Sequence, residues 1–290
     1  MNRLRRTMLF VPGGNEKILL KALSLSVDSL ILDLEDSVVP EKKESARKAV
    51  KEMLNSGDFG KKERIVRVNS LSSEYGREDI LALAHSRVDT LLLPKVNRPE
   101  DIQECATFLT QLEKTEGLAP GNIGIMALIE SPLAIVNIDA IAMASSRLNG
   151  LLFGAADYSR ETRGKITAGR FELYYPLSRI LLAARVAGID AIDTPYFDIK
   201  DPAGLERHAR QAKDMGYDGK SIIHPAQVEI VNRIFTPSKE EVEYSKRVLE
   251  AFEGAKAKGK GATQLDGQLI ENVHVAIAQR VLEIAEKAGI

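Results

Sequence analysis

The sequence predicts an α/β protein, a closed (β/α)8 TIM barrel with a C-terminal helical arm. Three observations predict it. Eight short runs rich in Val, Ile and Leu recur in series, each near-continuously apolar as parallel strands buried on both faces must be. Longer amphipathic segments separate them, the alternation of repeated βα units. A length of 290 residues suits one barrel of about 250 residues with an appendage. A doubly wound sheet accommodates the same alternation, but eight units in an unbroken series favour closure, because a closed sheet has no edges to protect.

The first run, TMLFVPG from Thr7, passes through the turn PGGN to Asn15, an N-cap in front of EKILLKAL. SLILDLED from Ser29 and ERIVRVN from Glu63 are the second and third. TLLLPKV from Thr90 is the fourth, with Pro99 opening the helix EDIQECATFL. IGIMALIES from Ile123 is the fifth, with Pro132 opening LAIVNIDAIAM. LNGLLFGAAD from Leu148, AIDTPYF from Ala191 and GKSIIHP from Gly219 complete the series. Pro202 opens AGLERHARQAKDMG between the last two, and Gly188 and Gly216 stop their helices. In the eighth helix Val228, Val231, Ile234 and Phe235 fall on one face, the stripe a barrel helix turns to its sheet.

The barrel domain therefore spans residues 1–236, and residues 237–290 form a helical extension expected to contact another subunit. Ser238 and Glu241 form a capping box for a charged helix running to about Lys258. KAKGKGATQ reads as a Gly/Lys linker. QLDGQLI and a last amphipathic helix, with Val273, Ile277, Val281 and Ile284, follow it. Such a segment cannot extend a complete barrel, so it folds over the barrel mouth or reaches a neighbour.

With 44% hydrophobic, 28% charged and 5% aromatic residues, the composition is that of a globular protein with an aliphatic core. A net charge of −1 provides no field to attract nucleic acid or an anionic membrane, so neither is expected as a partner. The apolar runs around Leu32 and Leu151 fall far short of the roughly 20 residues of a membrane span. One cysteine, Cys105, and an N-terminus without the apolar stretch of a signal peptide point to the cytoplasm. Cys105 reads as a structural thiol. The arm NRLRR, with Arg3, Arg5 and Arg6, reads as a solvated tail, with contact to nucleotide phosphates as the alternative. His224 in SIIHP reads as paired with backbone, not as a metal ligand.

Barrel enzymes place reacting groups at the C-terminal ends of their strands. Polar residues are expected there and not at the strand starts. Strand 2 ends in Asp33-Leu34-Glu35-Asp36, strand 3 in Arg67-Val68-Asn69, strand 4 in Pro94-Lys95, strand 5 in Glu130-Ser131 and strand 6 in Gly154-Ala155-Ala156-Asp157. Glu130 and Asp157, from adjacent strands, could share one hard cation, leaving positions for water and substrate oxygens, as Mg2+ is usually held. Alternatively, both are satisfied by helix N-termini or Lys95. Arg67 needs a carboxylate, either a ligand's or an internal one, for which Asp36 is the obvious candidate. The glycines of PGGN leave backbone N–H groups free to face an anion, although two glycines after a strand more often mean a tight turn.

Taken together, MLFVPGGN, LILDLEDSV, IVRVNS, LLLPK, LIESPLA, LLFGAADY, DTPYFD and YDGKSIIHPAQV resemble the citrate lyase β-subunit family, within the aldolase and citrate lyase-like superfamily. The motifs run in order through nearly the whole chain. The resemblance implies a Mg2+-dependent barrel that forms homotrimers or larger assemblies, has citrate lyase partner subunits, and splits an acyl-CoA or acyl-carrier-protein thioester. It implies Glu130 and Asp157 as metal ligands, with Glu130 also at the substrate, and Arg67 as the arginine for the substrate carboxylate. Glu35 and Asp36 match the acidic pair of DLEDSV. Two departures stand out: Ala156 replaces the acidic residue of GAED, and Glu271 stands where relatives carry a proton-transferring Asp.

Cleaving the C2–C3 bond of a 3-hydroxy-acyl thioester needs a base for the hydroxyl and stabilisation of the thioester enolate. Glu35, Asp36 and Glu271 are the candidate proton carriers. The leading expectation is citryl-CoA or citryl-carrier-protein cleavage to oxaloacetate and an acetyl thioester. The rivals are a stand-alone malyl-CoA or citramalyl-CoA lyase, and a carrier-binding assembly subunit whose catalysis is weakened by Ala156 and Glu271.

Overall fold

The computed structural model describes residues 3–290, so Asn2 of the basic arm lies outside the described residues. Two compact units result: residues 5–232, and Arg233–Ile290 with Arg3 and Leu4. In the barrel unit the eight apolar runs form a closed parallel barrel in sequence order. The strands are β1 (Thr7–Pro12), β2 (Ser29–Asp33), β3 (Glu63–Arg67), β4 (Thr90–Leu93), β5 (Gly124–Ile129), β6 (Leu148–Phe153), β7 (Asp190–Asp193) and β8 (Gly219–Ile222). Met8, Ile31, Ile65, Leu92, Met126, Leu128, Leu152 and Ile192 meet in one buried cluster, with Phe10 packed against it. Strands β1 to β7 contribute to that interior, from alternate positions where a strand gives two residues, as the two-residue period of a strand requires.

The helices start where their caps predict. Asn15 accepts from the Ile18 N–H and starts α1 (Glu16–Leu23), and α2 (Lys43–Ser56), α3 (Gly76–Leu83) and α4 (Pro99–Thr115) follow. The helix expected after Pro132 is two short ones, α5 (Pro132–Val136) and α6 (Ile138–Ala142), broken at Asn137, where φ is −96° and ψ is 6°. Next come α7 (Ala155–Thr162), α8 (Tyr174–Ala187), α9 (Pro202–Met215) and α10 (Val228–Phe235). Gly188 and Gly216 end α8 and α9 with positive φ, as expected. Val228, Val231, Ile234 and Phe235 are all buried. His224 accepts a backbone hydrogen bond from Ala226 at 3.2 Å.

Polar residues gather at the strand starts as well, against expectation. Arg5 is only 5% exposed. Its Nε and Nη2 donate to the Glu63 carboxylate at 2.8 and 2.7 Å, and its Nη1 donates to Asp190 at 2.9 Å. Ser29 and Thr90 add their hydroxyls to Glu63. Arg6 pairs with Asp28 at 2.8 Å. Arg5 and Arg6 are thus not a solvated tail: Arg5 plugs the N-terminal end of the barrel with a self-satisfied ion cluster. Gly13 likewise offers no free N–H, because it donates to Asp33 O at 2.9 Å, and a Cβ there would lie 2.5 Å from that oxygen.

In the C-terminal unit α11 (Lys239–Lys256) starts at the expected Ser238–Glu241 capping box. The linker read from KAKGKGATQ runs into β9 (Thr263–Leu265), which pairs antiparallel with β10 (Gln268–Ile270). Asp266 and Gly267 turn the hairpin with φ of 50° and 81°, the pattern of an Asp-Gly turn between twisted strands. The last helix, α12 (Asn272–Ala288), joins Val248, Phe252, Ile270 and Ala278 in a small core. Among the described residues no helix is long and apolar enough to cross a membrane.

Candidate active site

Five strand ends deliver the expected polar groups to one rim, and register decides which of them meet. Asp33 and Arg67 are register partners at the ends of β2 and β3. Arg67 Nε and Nη2 donate to the two oxygens of Asp33, both at 2.7 Å. Its remaining Nη1 lies 3.1 Å from Glu35 and 3.8 Å from Asp36. The internal partner of Arg67 is therefore Asp33, not Asp36, because the residue beside Arg67 in the sheet is the one its fork can reach. Burial works against the Arg67 charge, yet the hydrogen bonds and charge of Asp33, with Glu35 and Asp36 behind, raise its pKa above the usual value. Asp33 is buried too, and Arg67 holds it below the usual carboxylate range. The guanidinium also stacks over Phe10, 5.1 Å from the ring centre.

Glu35 is buried at 5% exposure between two cations, with Arg67 at 3.1 Å and Lys95 Nζ at 2.7 Å. Burial raises its pKa, and contact with Lys95 and Arg67 only partly opposes this. Asp36 by contrast points outward, its side chain 62% exposed. The backbone of this acidic loop is held by Lys43, whose ammonium donates to Leu34 O and Glu35 O at 2.8 Å and to Asn69 Oδ1 at 2.7 Å. Asn69 in turn donates to Leu34 O at 2.9 Å and to Asp79 at 2.7 Å. Lys43 and Asp79 went unnoticed in the sequence, and Asp33 was read only as part of the strand end. Nothing in PEKKESAR distinguishes the buried Lys43 from the exposed Lys42 beside it.

Glu130 follows β5, and Asp157 sits in the first turn of α7, after β6. Glu130 Oε1 accepts the Lys95 backbone N–H at 2.7 Å. A Cβ at Gly154 would lie 2.6 Å from Glu130 Cβ and 3.0 Å from its Oε2, so only glycine leaves room for this carboxylate. Burial pushes the Glu130 carboxyl up to about 7; the Lys95 N–H opposes the shift, and the charges of Asp157 and Glu35 add to it. Asp157 is ion-paired with Arg160 at 2.8 Å across one helical turn. Among the described residues no cluster of three or more His, Cys, Asp or Glu is arranged around one metal position. The protein thus offers two oxygen donors, one of them buried and short of positive charge. That donor set fits a hard cation which keeps its other positions for water and substrate.

Glu271 belongs to the C-terminal unit, where it is the N-cap of α12 and its N–H donates to His274 Nδ1 at 3.1 Å. Cys105 is buried and its thiol is pushed up to about 12 by desolvation, so it remains a structural thiol.

Comparison with known proteins places the chain in a family. The family described as HpcH/HpaI aldolase/citrate lyase matches residues 6–225. The chain is 39% identical over 288 residues to citrate lyase subunit beta of Escherichia coli (strain K12), covering 99% of this chain and 95% of that one. It is 38% identical over 281 residues to a (3S)-malyl-CoA thioesterase of Cereibacter sphaeroides (strain ATCC 17025), covering 97% and 94%. Its fold matches the crystal structure of CitE from Mycobacterium tuberculosis in complex with magnesium, acetoacetate and coenzyme A, with a TM-score of 0.78, 28% identity, and coverage of 97% and 98%. With several relatives matched over nearly their full lengths, the chain belongs to the HpcH/HpaI aldolase/citrate lyase family and is a carbon–carbon lyase.

Proposed function

We propose that this protein is a Mg2+-dependent lyase that cleaves citryl-CoA or a citryl-carrier-protein thioester to oxaloacetate and an acetyl thioester. One observation carries the reading. A buried carboxylate short of positive charge, Glu130, shares a barrel rim with Asp157 and with an arginine, Arg67, whose orientation Asp33 holds rigidly. Mg2+ held by Glu130 and Asp157 would neutralise charge on the carboxylate and hydroxyl oxygens of the substrate. The magnesium, keto acid and coenzyme A of the CitE complex support the same assignment.

In this reading Arg67 turns Nη1 to the substrate carboxylate. A carboxylate of the protein takes the hydroxyl proton, the C2–C3 bond breaks with its electron pair passing into the thioester, and a proton returned to C2 completes the acetyl group. Glu35, clamped by two cations, is an anchor for Arg67 and Lys95 rather than a mobile base. Proton transfer then falls to Asp36, exposed at the rim, or to Glu271 supplied by a neighbouring subunit of a homotrimer or larger assembly. The protein acts in the cytoplasm, on its own or with citrate lyase partner subunits.

The malyl-CoA thioesterase relative favours a second reading, in which a malyl thioester is the substrate. The purified chain, offered citryl-, malyl- and citramalyl-CoA with Mg2+, separates the two. Oxaloacetate with acetyl-CoA from citryl-CoA supports the first reading, and glyoxylate with acetyl-CoA from malyl-CoA, or pyruvate with acetyl-CoA from citramalyl-CoA, supports the second. An inert chain that still captures acyl-carrier protein makes it an assembly subunit.

A further inference from the structure

We propose that Lys95 is a positioning residue that ties together the two acidic groups of the rim, its amide holding Glu130 and its ammonium holding Glu35, and that its left-handed backbone is kept for this purpose. The inference rests on the reading of the rim as the active site. Its starting point is conformational. Four described residues other than glycine have positive φ: Lys95 at 57°, Arg163 at 58°, Arg170 at 54° and Asp266 at 50°. Arg163 caps the C-terminus of α7 and Asp266 turns a hairpin, both ordinary uses of this conformation. Arg170 stands before a helical turn, with its side chain on the buried Asp193. Lys95 alone among them lies at the end of a barrel strand.

Glycine or asparagine adopts this conformation at lower cost than lysine, so an unfavourable backbone at a rim is an observation that asks for a function. The geometry supplies one. The left-handed turn aims the Lys95 N–H at Glu130 Oε1, 2.7 Å away, while the side chain runs to Glu35 Oε1, also 2.7 Å away. The same loop is fastened further on. Asn97 donates to Lys95 O at 3.1 Å and bonds the hydroxyl of Ser131, the residue after Glu130. One residue thereby sets the distance between the Glu130 carboxylate and the Glu35–Arg67 pair. Without the ammonium, Glu35 has Arg67 as its remaining ion-pair partner among the described residues. The guanidinium is then drawn between Asp33 and Glu35, and its Nη1 is less available to a ligand carboxylate.

Three variants test this: Lys95→Gly, Lys95→Asn and Lys95→Arg. Melting temperature is read without added metal, and oxaloacetate affinity is read by calorimetry with Mg2+. Turnover is read on whichever thioester the parent cleaves. The glycine and asparagine variants relieve the backbone and should melt at or above the parent temperature. They should bind oxaloacetate at least tenfold more weakly and lose about a hundredfold in kcat, a larger loss than any change in KM. The arginine variant keeps a cation at the same reach and should recover affinity to within about threefold of the parent. Glycine or asparagine variants that bind oxaloacetate as the parent does overturn the proposal, as does an arginine variant no better than glycine. A parent that binds oxaloacetate but cleaves no thioester overturns the reaction assigned above and leaves the affinity and melting results to decide on Lys95.

Discussion

Arg67 shows how one side chain serves the fold and the site together. Two of its nitrogens are committed to Asp33, so a lysine in its place loses the fork and leaves a buried carboxylate partly unpaired. Arg67→Lys should cost about 1–3 kcal/mol of stability, because Asp33 is nearly inaccessible to water. The same variant should bind keto acids more weakly, because Nη1 has no replacement. Thermal melting and oxaloacetate calorimetry read the two effects separately. Unchanged affinity alongside a lowered melting temperature would reduce Arg67 to a structural role. Gly154 makes a second claim at this scale. An alanine there places its Cβ 2.6 Å from Glu130 Cβ, so the carboxylate must move. Gly154→Ala should destabilise by roughly 1–3 kcal/mol through overpacking and weaken Mg2+ binding at least tenfold. Calorimetry showing parental Mg2+ affinity would refute the assignment of Glu130.

At the scale of elements, the strands carry different ionic cargo on their two ends and outer face. The strand starts close on themselves through Arg5 and Glu63, whereas at the strand ends burial pushes the Glu130 carboxyl up to about 7. Against the outer helices lies a third cluster. Asp193, at the end of β7, bonds Lys220 of β8 at 2.6 Å and Arg170 at 2.9 Å, all three fully buried. His208 of α9 packs edge-on against Tyr196 with ring centres 4.7 Å apart. Burial, and then the charges of Arg170 and Lys220, push the His208 imidazole down to about 4. The folded state thus holds His208 neutral while the unfolded chain protonates it near the ordinary value of about 6.5. This contribution is fully present above about pH 6.5 and is lost as the pH falls through 6.5 towards 4, reaching about 3 kcal/mol. His208→Gln should flatten that limb of the stability–pH curve. Parallel curves for parent and variant in urea titrations from pH 4 to 7 would show that His208 is not the group responsible.

At the scale of the whole molecule, the C-terminal unit carries an apolar face of its own. Val273 and Ile277 of α12 are 58% and 60% exposed, so part of the expected apolar stripe lies outside the small core of its own unit. A neighbouring subunit would cover it and bring Glu271 to a site, with closure excluding water from the enolate. Mixing inactive Glu130→Ala and Glu271→Gln oligomers after dissociation and reassembly should restore part of the activity. No recovery despite proven subunit exchange excludes action between subunits. The sequence by itself determined the eight strands, a cap for each of six helices and the rim positions of Glu35, Asp36, Arg67, Glu130 and Asp157. Each follows from a local pattern: apolar runs of strand length, Pro, Gly and Ser at helix ends, and the rule that chemistry gathers at the C-terminal ends of barrel strands. Tertiary structure alone decided that Arg67 pairs with Asp33, that Lys43 and Arg5 are buried anchors, that Lys95 adopts a left-handed turn to reach two carboxylates, and that Gly154 makes room for Glu130. Those depend on register between strands distant in sequence and on the direction each side chain takes from its strand, and a linear pattern of residue types carries neither.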